Sequence, residues 1–281
     1  MPTASKEVVL GPAVKAGGRN PLFLIAGPCV IESRDHALRL ASELAAVTRE
    51  LGVPLVFKAS FDKANRSSLR SYRGPGLEEG LKILEAVRGE CGVPVLSDVH
   101  ETGQVARAAE VLDVLQIPAF LCRQTDLLIA AARTGKPLNL KKGQFLAPGD
   151  MRHAVDKVIA GGNDRILLTE RGTSFGYHDL VFDIRSIPIL KSLGFPVVLD
   201  ASHSVQRPGG MGEASGGDAE FIPLLARAGV SAGADGLFIE VHEAPEKALS
   251  DGRNSLRLSG LEPLLKSALA VRRAVENTER S

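Results

Sequence analysis

The sequence is poor in aromatic residues and carries almost no net charge. Tryptophan is absent, and Phe, Trp and Tyr together make up 4% of the 281 residues, so a stacking platform for nucleic-acid bases is not expected. The 34 Lys and Arg residues are balanced by 33 Asp and Glu residues, which gives a formal charge of +1. Proteins that bind nucleic acid or membrane surfaces usually show a basic excess. We therefore expect neither partner, although a local basic pocket for a small anion remains possible.

Cysteines and long apolar runs are also scarce. Cys29, Cys91 and Cys122 are an odd set without a CxxC pair, which disfavours a disulfide-stapled secreted scaffold and favours a reducing compartment. The longest uninterrupted apolar run, residues 127–132, is far shorter than the about 20 residues that span a bilayer. The first residues lack the long apolar segment of a signal peptide. We expect a soluble, cytoplasmic protein.

Short apolar runs recur along the chain, many of them directly after Gly or Pro. They lie at residues 22–27, 53–60, 93–99, 114–119, 138–143, 165–171, 195–202 and 234–241. Each is rich in Val, Ile, Leu or Phe rather than alternating with polar residues. This pattern indicates parallel strands that are buried on both faces.

Amphipathic helical patterns separate the apolar runs. They cover residues 36–51, 77–87, 104–112, 127–133, 151–159, 182–193, 219–228 and 261–275. Eight strands alternating with eight helices match a (β/α)₈ TIM barrel. A doubly wound sheet would typically have fewer strands and a Gly-rich turn, and neither GxGxxG nor GxxxxGK[ST] occurs. We predict a single barrel domain over residues 1–281, with a short N-terminal extension, residues 1–20, that caps its bottom.

One long Gly-rich stretch, residues 203–218, follows the seventh predicted strand. Irregular segments of this length inside a compact domain are usually functional lids or disordered segments. We predict a mobile lid here.

Polar side chains stand at all eight predicted strand ends, where a barrel of this kind places its active site. The ends carry Cys29, Lys58, Asp98, Gln116, Lys141 with Lys142, Arg171, His203 and Glu240. Five cations would face one pocket: Lys58, Lys63, Arg66, Lys141 and Arg171. Because five cations around a single phosphate would repel one another, the pattern predicts at least two anionic groups in the ligands. For Lys63 and Arg66, an ordinary solvated loop is the alternative.

A second group of strand-end residues has the chemistry of metal ligands. Cys29, His203 and Glu240 end the first, seventh and eighth strands, which adjoin in a closed barrel, and Asp251 follows in the next loop. One thiolate, one imidazole and two carboxylates suit Zn²⁺, Fe²⁺, Mn²⁺ or Co²⁺ better than Mg²⁺. Two alternatives stay open at this point. Cys29 could be a small buried hydrophobic residue, and His203 a hydrogen-bonded core histidine.

Seven motifs follow one another in order along the chain. They are IAGPCVIES (25–33), FKASFDKANRSS (57–68), LQIPAF (115–120), NLKKGQF (139–145), LTERG (168–172), DASHSVQ (200–206) and FIEVH (238–242). Together they resemble those of 3-deoxy-D-manno-octulosonate 8-phosphate synthases, from residue 22 to the C-terminus. The resemblance implies a barrel enzyme that joins phosphoenolpyruvate to D-arabinose 5-phosphate for lipopolysaccharide biosynthesis.

The resemblance also implies roles for single residues. Phosphoenolpyruvate would contact Lys63, Gln116, Lys141, Arg171 and the backbone around Ala119, and the aldose would contact Lys58, Asn65 and Asp98, with its phosphate on Arg66 and Ser67. Ser60 is also expected to bind substrate. We expect the catalytic residues to be Lys58, Lys63, Asp98, Lys141, Arg171 and His203.

Assembly and metal dependence are implied as well. In the family, the residues that correspond to Arg66, Ser67 and Arg123 act across a subunit boundary, which implies a homotetramer. A metal-dependent branch carries Cys in the GPC motif, so Cys29 places the chain there. The resemblance makes His203, Glu240 and Asp251 the remaining ligands.

Two rival functions remain. 3-Deoxy-D-arabino-heptulosonate 7-phosphate synthases share the barrel, phosphoenolpyruvate and the metal ligands, but typically have a KPRTS-like segment where this chain has KANRSS. That segment handles the aldose, so the difference favours arabinose 5-phosphate. The other rival is a barrel that only binds a sugar phosphate. It would not need both a two-anion pocket and a metal site.

Overall fold

The computed structural model describes residues 5–66, 68–208 and 216–280, and its centre is a closed barrel of parallel strands. The strands are β1 (Phe23–Gly27), β2 (Leu55–Lys58), β3 (Val95–Asp98), β4 (Val114–Ile117), β5 (Leu138–Lys141), β6 (Ile166–Glu170), β7 (Val197–Asp200) and β8 (Gly236–His242). Each pairs with the next in chain order, and Gly236 of β8 lies opposite both Val198 of β7 and Phe23 of β1. The predicted (β/α)₈ barrel is confirmed.

A helix follows each strand and packs on the outside of the barrel. The helices are α1 (Arg34–Glu50), α2 (Leu77–Cys91), α3 (Thr102–Val111), α4 (Thr125–Arg133), α5 (Met151–Ala160), α6 (Ser186–Lys191), α7 (Ile222–Ser231) and α8 (Leu261–Arg280). Within the described residues, no helix combines the length and apolar character that crossing a membrane requires.

Two helices begin later than the sequence pattern predicts. Helix α6 starts at Ser186 instead of residue 182, and α7 starts at Ile222 after a 3₁₀ turn that begins at Ala219. Pro188 and Pro223 explain both corrections. Proline has no N–H to donate, so it fits only in the first turn of a helix.

The alternation of side chains explains why the strands read as continuous apolar runs. In β1, Phe23 and Ile25 belong to the apolar cluster inside the barrel, whereas Leu24 and Ala26 belong to the larger cluster between strands and helices. Successive strand residues point to opposite faces. Because both faces are covered, apolar residues fill both faces at the amino ends of the strands, and the buried polar residues lie towards the carboxyl ends.

The N-terminal extension forms a hairpin across one end of the barrel. Its strands, Val8–Gly11 and Val14–Ala16, pair antiparallel. Alternate hairpin side chains, among them Leu10 and Val14, join the apolar cluster inside the barrel together with Phe23 and Val56. These barrel residues lie in the first halves of their strands. The hairpin therefore closes the barrel at the amino ends of the strands, and the polar interior lies at the carboxyl ends.

Two short hairpins rise from the loops at the carboxyl ends. Thr173–Ser174 pairs with Leu180–Val181, and Gln206–Arg207 pairs with Gly216–Gly217. The second hairpin belongs to the predicted lid, of which residues 209–215 lie outside the described part of the chain. The mobility of the lid stays a prediction.

Candidate active site at the carboxyl ends of the strands

A cavity of about 990 Å³ opens at the carboxyl ends of the barrel strands. The structure places these predicted residues on its wall: Lys58, Lys63, Asn65, Arg66, Asp98, Gln116, Ala119, Lys141, Arg171, His203 and Asp251. All five predicted cations are among them. Ligand pockets range from roughly 300 to 1,000 Å³, so this one has room for two small substrates.

The other predicted residues are placed differently. Cys29, Ser60 and Glu240 are buried next to the cavity, and each contacts a residue of its wall. Arg123 is exposed and does not line the cavity. Ser67 lies outside the described residues.

A chain of buried polar side chains crosses the barrel from β2 to β6. Ser60 and Gln116 each donate a hydrogen bond to the carboxylate of Asp98. Asn139 Nδ2 in turn donates to Gln116 Oε1 at 2.8 Å, and Thr169 Oγ1 donates to Asn139 Oδ1 at 2.5 Å. Since each strand contributes a member, the chain fixes the orientation of Asp98 and Gln116 before any ligand binds.

Lys58 and Lys63 surround the carboxylates on one side of the cavity. Lys58 Nζ lies 3.0 Å from Glu240 Oε1 and donates to the carbonyl oxygen of Cys29 at 2.8 Å. Burial raises the pKa of Asp98, but Lys63 and Lys58 lower that pKa further, so it ends well below its usual range. Burial lowers the pKa of Lys63, and its interactions with the neighbouring Cys29, Glu240 and Asp98 outweigh that effect and raise this pKa above the usual value. Asp98 and Lys63 therefore stay ionised at neutral pH.

Lys141 and Arg171 form the cationic wall on the opposite side. Lys141 Nζ lies 2.6 Å from Asp200 Oδ2 and 3.7 Å from the centroid of the Phe238 ring. Burial lowers the pKa of Lys141, and Asp200 only partly offsets this. Arg171 Nη2 donates to Gln206 Oε1 at 3.0 Å, whereas its buried Nη1 has no hydrogen-bond partner among the described residues. Buried donors are normally paired, so Nη1 is available for an anionic ligand.

Three of the four predicted metal ligands converge at one side of the cavity. Cys29 Sγ and carboxylate oxygens of Glu240 and Asp251 all lie within 4.8 Å of one another. His203 Nε2 is 3.7 Å from Glu240 Oε1, and its Nδ1 is 2.8 Å from Asp200 Oδ2. A carboxylate on one ring nitrogen leaves the other free as a ligand.

The chemistry of these four residues fits a divalent transition metal. Glu240 Oε2 is buried without a hydrogen-bond partner among the described residues, as expected of a ligand atom. Burial, followed by the charges of Asp251 and Glu240, raises the pKa of the Cys29 thiol. A bound cation would therefore have to displace the thiol proton.

A second histidine–carboxylate cluster lies beside this group. Ligand atoms of Glu32, His36 and His242 lie within 4.8 Å of one another. However, the N–H of Ala244 donates to His242 Nδ1 at 2.9 Å, so a neutral His242 carries its proton on Nε2, 3.4 Å from Glu32 Oε1. His36 Nε2 is in turn 2.9 Å from Glu243 Oε2. Hydrogen bonds to Ala244 and Glu243 orient the two rings, whereas His242 Nε2 and His36 Nδ1 have no hydrogen-bond partner among the described residues.

Several residues of the site escaped the sequence analysis. Asp200 contacts both Lys141 and His203, and Ser250 contacts Cys29. Asp200 lies within the DASHSVQ motif and Ser250 directly precedes Asp251, so each had a signal in a neighbouring residue.

Lys142 is not on the cavity wall, although it was named together with Lys141 at the end of the fifth strand. It is fully buried, and its Nζ donates to the backbone oxygens of Gly143, Leu146 and Gly172. Successive residues of a strand point to opposite faces. Lys141 faces the barrel interior, and Lys142 therefore points away from it.

Comparison with known proteins agrees with this geometry. The profile of the DAHP synthetase I family matches residues 3–276. Curated proteins called 2-dehydro-3-deoxyphosphooctonate aldolase are similar over 95% of this chain: the one from Trichlorobacter lovleyi is 60% identical over 98% of its own length, that from Geobacter metallireducens 59% over 98%, and that from Syntrophotalea carbinolica 60% over 96%.

The chain belongs to the DAHP synthetase I family and, within it, to the 2-dehydro-3-deoxyphosphooctonate aldolases. That name is a synonym of 3-deoxy-D-manno-octulosonate 8-phosphate synthase. The resemblance carried by the seven motifs is confirmed.

Proposed function

We propose that the protein condenses phosphoenolpyruvate, D-arabinose 5-phosphate and water into 3-deoxy-D-manno-octulosonate 8-phosphate and inorganic phosphate, a transferase step of lipopolysaccharide biosynthesis. The observation that carries this proposal is the collection of five cations in one cavity beside the cluster of Cys29, Glu240 and Asp251, with His203 Nε2 3.7 Å from Glu240 Oε1. The two substrates bring two phosphates and one carboxylate. Their anionic groups match a cavity that is too cationic for a single anion.

Phosphoenolpyruvate binds at the buried cations of the cavity. Lys63, Lys141 and Arg171 hold its carboxylate and phosphate, together with Gln116 and the backbone at Ala119. The unpaired Nη1 of Arg171 supports this assignment. Ion pairs are strong in a water-excluded site, and these cations also stabilise the charge that develops as the phosphate leaves.

The aldose lies nearer the mouth of the cavity. Its phosphate meets Arg66 and Ser67, and its sugar hydroxyls meet Asn65 and Asp98. Ser60 holds Asp98 in place. Lys58 donates a proton to the aldehyde oxygen as that oxygen becomes an alkoxide. The hydrogen bonds that fix Asp98 before binding support this arrangement.

The bond changes follow from the two substrates. C3 of phosphoenolpyruvate forms a C–C bond to the aldehyde carbon, and water adds to C2. The resulting tetrahedral intermediate breaks its C–O bond to phosphate and leaves the keto group. The buried cations stabilise negative charge as it moves onto the departing phosphate.

Cys29, His203, Glu240 and Asp251 would hold a divalent cation, Zn²⁺, Fe²⁺, Mn²⁺ or Co²⁺. Such an ion supplies Lewis-acid polarisation of an oxygen or a lowered pKa of a bound water. Asp200 orients the His203 ring for this role and pairs with Lys141. Asp200 thereby links the metal ligands to the cationic side chains that bind phosphoenolpyruvate.

The active form is a homotetramer in the cytoplasm, and each chain is one domain with residues 1–20 as an extension. Phe120, Phe145 and Phe175, in the loops after β4, β5 and β6, are 49%, 55% and 72% exposed, which supports an apolar subunit interface near the cavity mouth. Arg123 lies in the same region and would reach a neighbouring site. Free cysteines among the described residues support a reducing compartment.

Aldose choice tests the function directly. Lys63, Lys141 and Arg171 hold phosphoenolpyruvate and thereby fix where the aldehyde must lie to react with it. Arg66 fixes the position of the aldose phosphate. Erythrose 4-phosphate is one CH(OH) shorter and cannot satisfy both ends at once. Small misplacements of a reacting group can cost about 100-fold in rate, so we expect kcat/KM for arabinose 5-phosphate to be at least about 100-fold higher.

The measurement is phosphate release from phosphoenolpyruvate with each aldose phosphate, and with none as the control. A preference for erythrose 4-phosphate would assign the chain to the heptulosonate synthases. Binding of both substrates without turnover, in metal-loaded protein, would favour the sugar-phosphate-binding barrel instead.

A further inference from the structure

Ser250 stands between two parts of the site that act on different ligands. It is 3% exposed and precedes Asp251 in the loop after β8. Its Oγ lies 3.0 Å from Cys29 Sγ and 2.7 Å from Arg66 Nη1. A single hydroxyl thus bridges a metal-ligand thiol and the cation assigned to the aldose phosphate.

The donor inventory fixes the direction of these hydrogen bonds. Arg66 can only donate, so Ser250 Oγ accepts from Nη1 and keeps its own proton to donate. Without a metal the Cys29 thiol donates to Ser250 Oγ. When metal binding displaces that proton to water, the thiolate becomes an acceptor and the hydroxyl would donate to it. The relay runs from the guanidinium through Ser250 to the sulfur, and charged groups at both ends strengthen it.

The charges around Cys29 show why a hydrogen bond from Ser250 to its thiolate matters. Two carboxylates, Glu240 and Asp251, lie close to the sulfur, and both disfavour a negative thiolate. Lys63 and Lys58 are nearby cations that favour the thiolate. Arg66 reaches the sulfur only through the hydroxyl of Ser250, and its Nη1 is also 3.8 Å from Asp251 Oδ1. The same contacts hold the guanidinium in the wall of the cavity.

We propose that Ser250 is a positioning residue that couples metal binding to aldose-phosphate binding: its hydroxyl supports the Cys29 thiolate and orients Arg66. That the two ligands are a metal and an aldose phosphate rests on the proposed function. The hydrogen bonds of Ser250 are features of the structure itself. Coupling between two sites is reciprocal. Loss of the hydroxyl should therefore weaken both ligands and leave phosphoenolpyruvate, held elsewhere, unaffected.

Ser255 provides a matched control in the same loop. It is also 3% exposed, and its Oγ donates to the backbone oxygen of Asp251 at 3.1 Å. The Ser255→Ala variant removes a buried loop hydrogen bond and leaves the hydroxyl between Cys29 and Arg66 in place. It separates the proposed coupling from a general loosening of the loop.

The first measurement is a Co²⁺ titration of metal-stripped protein, read from the thiolate-to-cobalt charge-transfer absorption. Removing a group that supports a metal ligand typically costs 10- to 100-fold in affinity, and we expect about tenfold weaker Co²⁺ binding in Ser250→Ala. Ser255→Ala should bind Co²⁺ like the wild type, and Ser250→Thr, which keeps a hydroxyl, should recover part of the loss. Melting temperatures of all variants show whether each is folded.

The second measurement is a double-variant cycle in KM. Arg66→Ala should raise KM for the aldose phosphate by roughly 30- to 150-fold, the cost of a charge-assisted hydrogen bond. Ser250→Ala should raise the same KM by less and leave KM for phosphoenolpyruvate unchanged. The double variant should fall short of the product of the two single effects.

Unchanged Co²⁺ affinity in folded Ser250→Ala, or an equal rise of KM for both substrates, would overturn the proposal. So would single effects that multiply in the double variant. A preference for erythrose 4-phosphate would instead refute the proposed function. The cobalt titration, and the cycle run with whichever aldose is used, would still decide the role of Ser250.

Discussion

At the scale of single residues, Lys141 shows how burial tunes a cation for its task. Its ammonium group packs over the Phe238 ring and against Asp200, and Lys58 and Asp98 also face it. Burial is the largest influence on its pKa and lowers it, Asp200 opposes this, and Lys58 adds to the lowering. The proton therefore leaves at a lower pH than from an exposed lysine, whose pKa is about 10.4.

We predict that kcat/KM for phosphoenolpyruvate declines on the alkaline side below the pH at which an ordinary lysine titrates. The direction of this decline follows from the role of Lys141. Its charged form binds the anion, and that form is lost as the pH rises through the lowered pKa. The profile of kcat/KM reports the free enzyme. In Lys141→Arg this alkaline decline should disappear from the residual activity, because guanidinium does not titrate in this range. An identical decline in both proteins would assign it to another group.

At the scale of elements, the packing of helix α7 on strand β7 depends on the absence of one side chain. A Cβ added to Gly229 would lie 2.3 Å from Leu199 Cδ2 and 3.1 Å from its Cβ, and Leu199 is fully buried. A Cβ added to Gly89, in helix α2, would have no other described atom within 4 Å beyond its own helix. The two helical glycines therefore have opposite surroundings.

We predict that Gly229→Ala lowers the free energy of unfolding by about 1–3 kcal/mol, because overpacking outweighs the gain in helix propensity. Gly89→Ala should raise it by about 0.5–1 kcal/mol, since alanine costs less backbone entropy in a helix. Urea unfolding of the metal-stripped proteins measures both. Effects of the same sign in the two variants would contradict this account of the packing.

Elements were largely predictable from the sequence because both faces of each barrel strand are buried. An apolar run such as residues 195–202 is typical of a strand that is buried on both faces. The starts of α6 and α7 were wrong because hydrophobic periodicity does not register that proline lacks an N–H. Pro188 and Pro223 are visible in the sequence. Because proline fits only in the first turn of a helix, they would have placed the starts of both helices correctly.

At the scale of the whole molecule, the site is assembled from loops that are distant in sequence. The strand ends predicted which residues share the cavity because a barrel brings all carboxyl ends together. They did not single out Ser250, because it lies in the loop after β8 and not at a strand end, and its contacts with Cys29 and Arg66 depend on the path of that loop. Nor could they show that Lys142 points outward, because that depends on which face of β5 is the interior.

We predict that the assembled protein needs a divalent metal for turnover. Thorough chelation should abolish activity, and Mn²⁺, Co²⁺, Zn²⁺ or Fe²⁺ should restore it to different degrees, because Cys29, Glu240 and Asp251 converge on a set of ligand types that suits these ions. Cys29→Ala should not be restored by any of them at the concentration that restores the wild type. Full activity in protein shown by elemental analysis to be metal-free would rule this out.

The N-terminal hairpin affects how substrates enter the cavity and how products leave it. Because Leu10 and Val14 fill the amino end of the barrel, the cavity, as the described residues line it, opens at the carboxyl ends of the strands and not through the barrel. Departing products and incoming substrates must use the same opening, because they cannot enter at one end of the barrel and leave at the other. Whatever lies deepest has to arrive first and leave last, so a slow exit by one molecule delays the entry of the next.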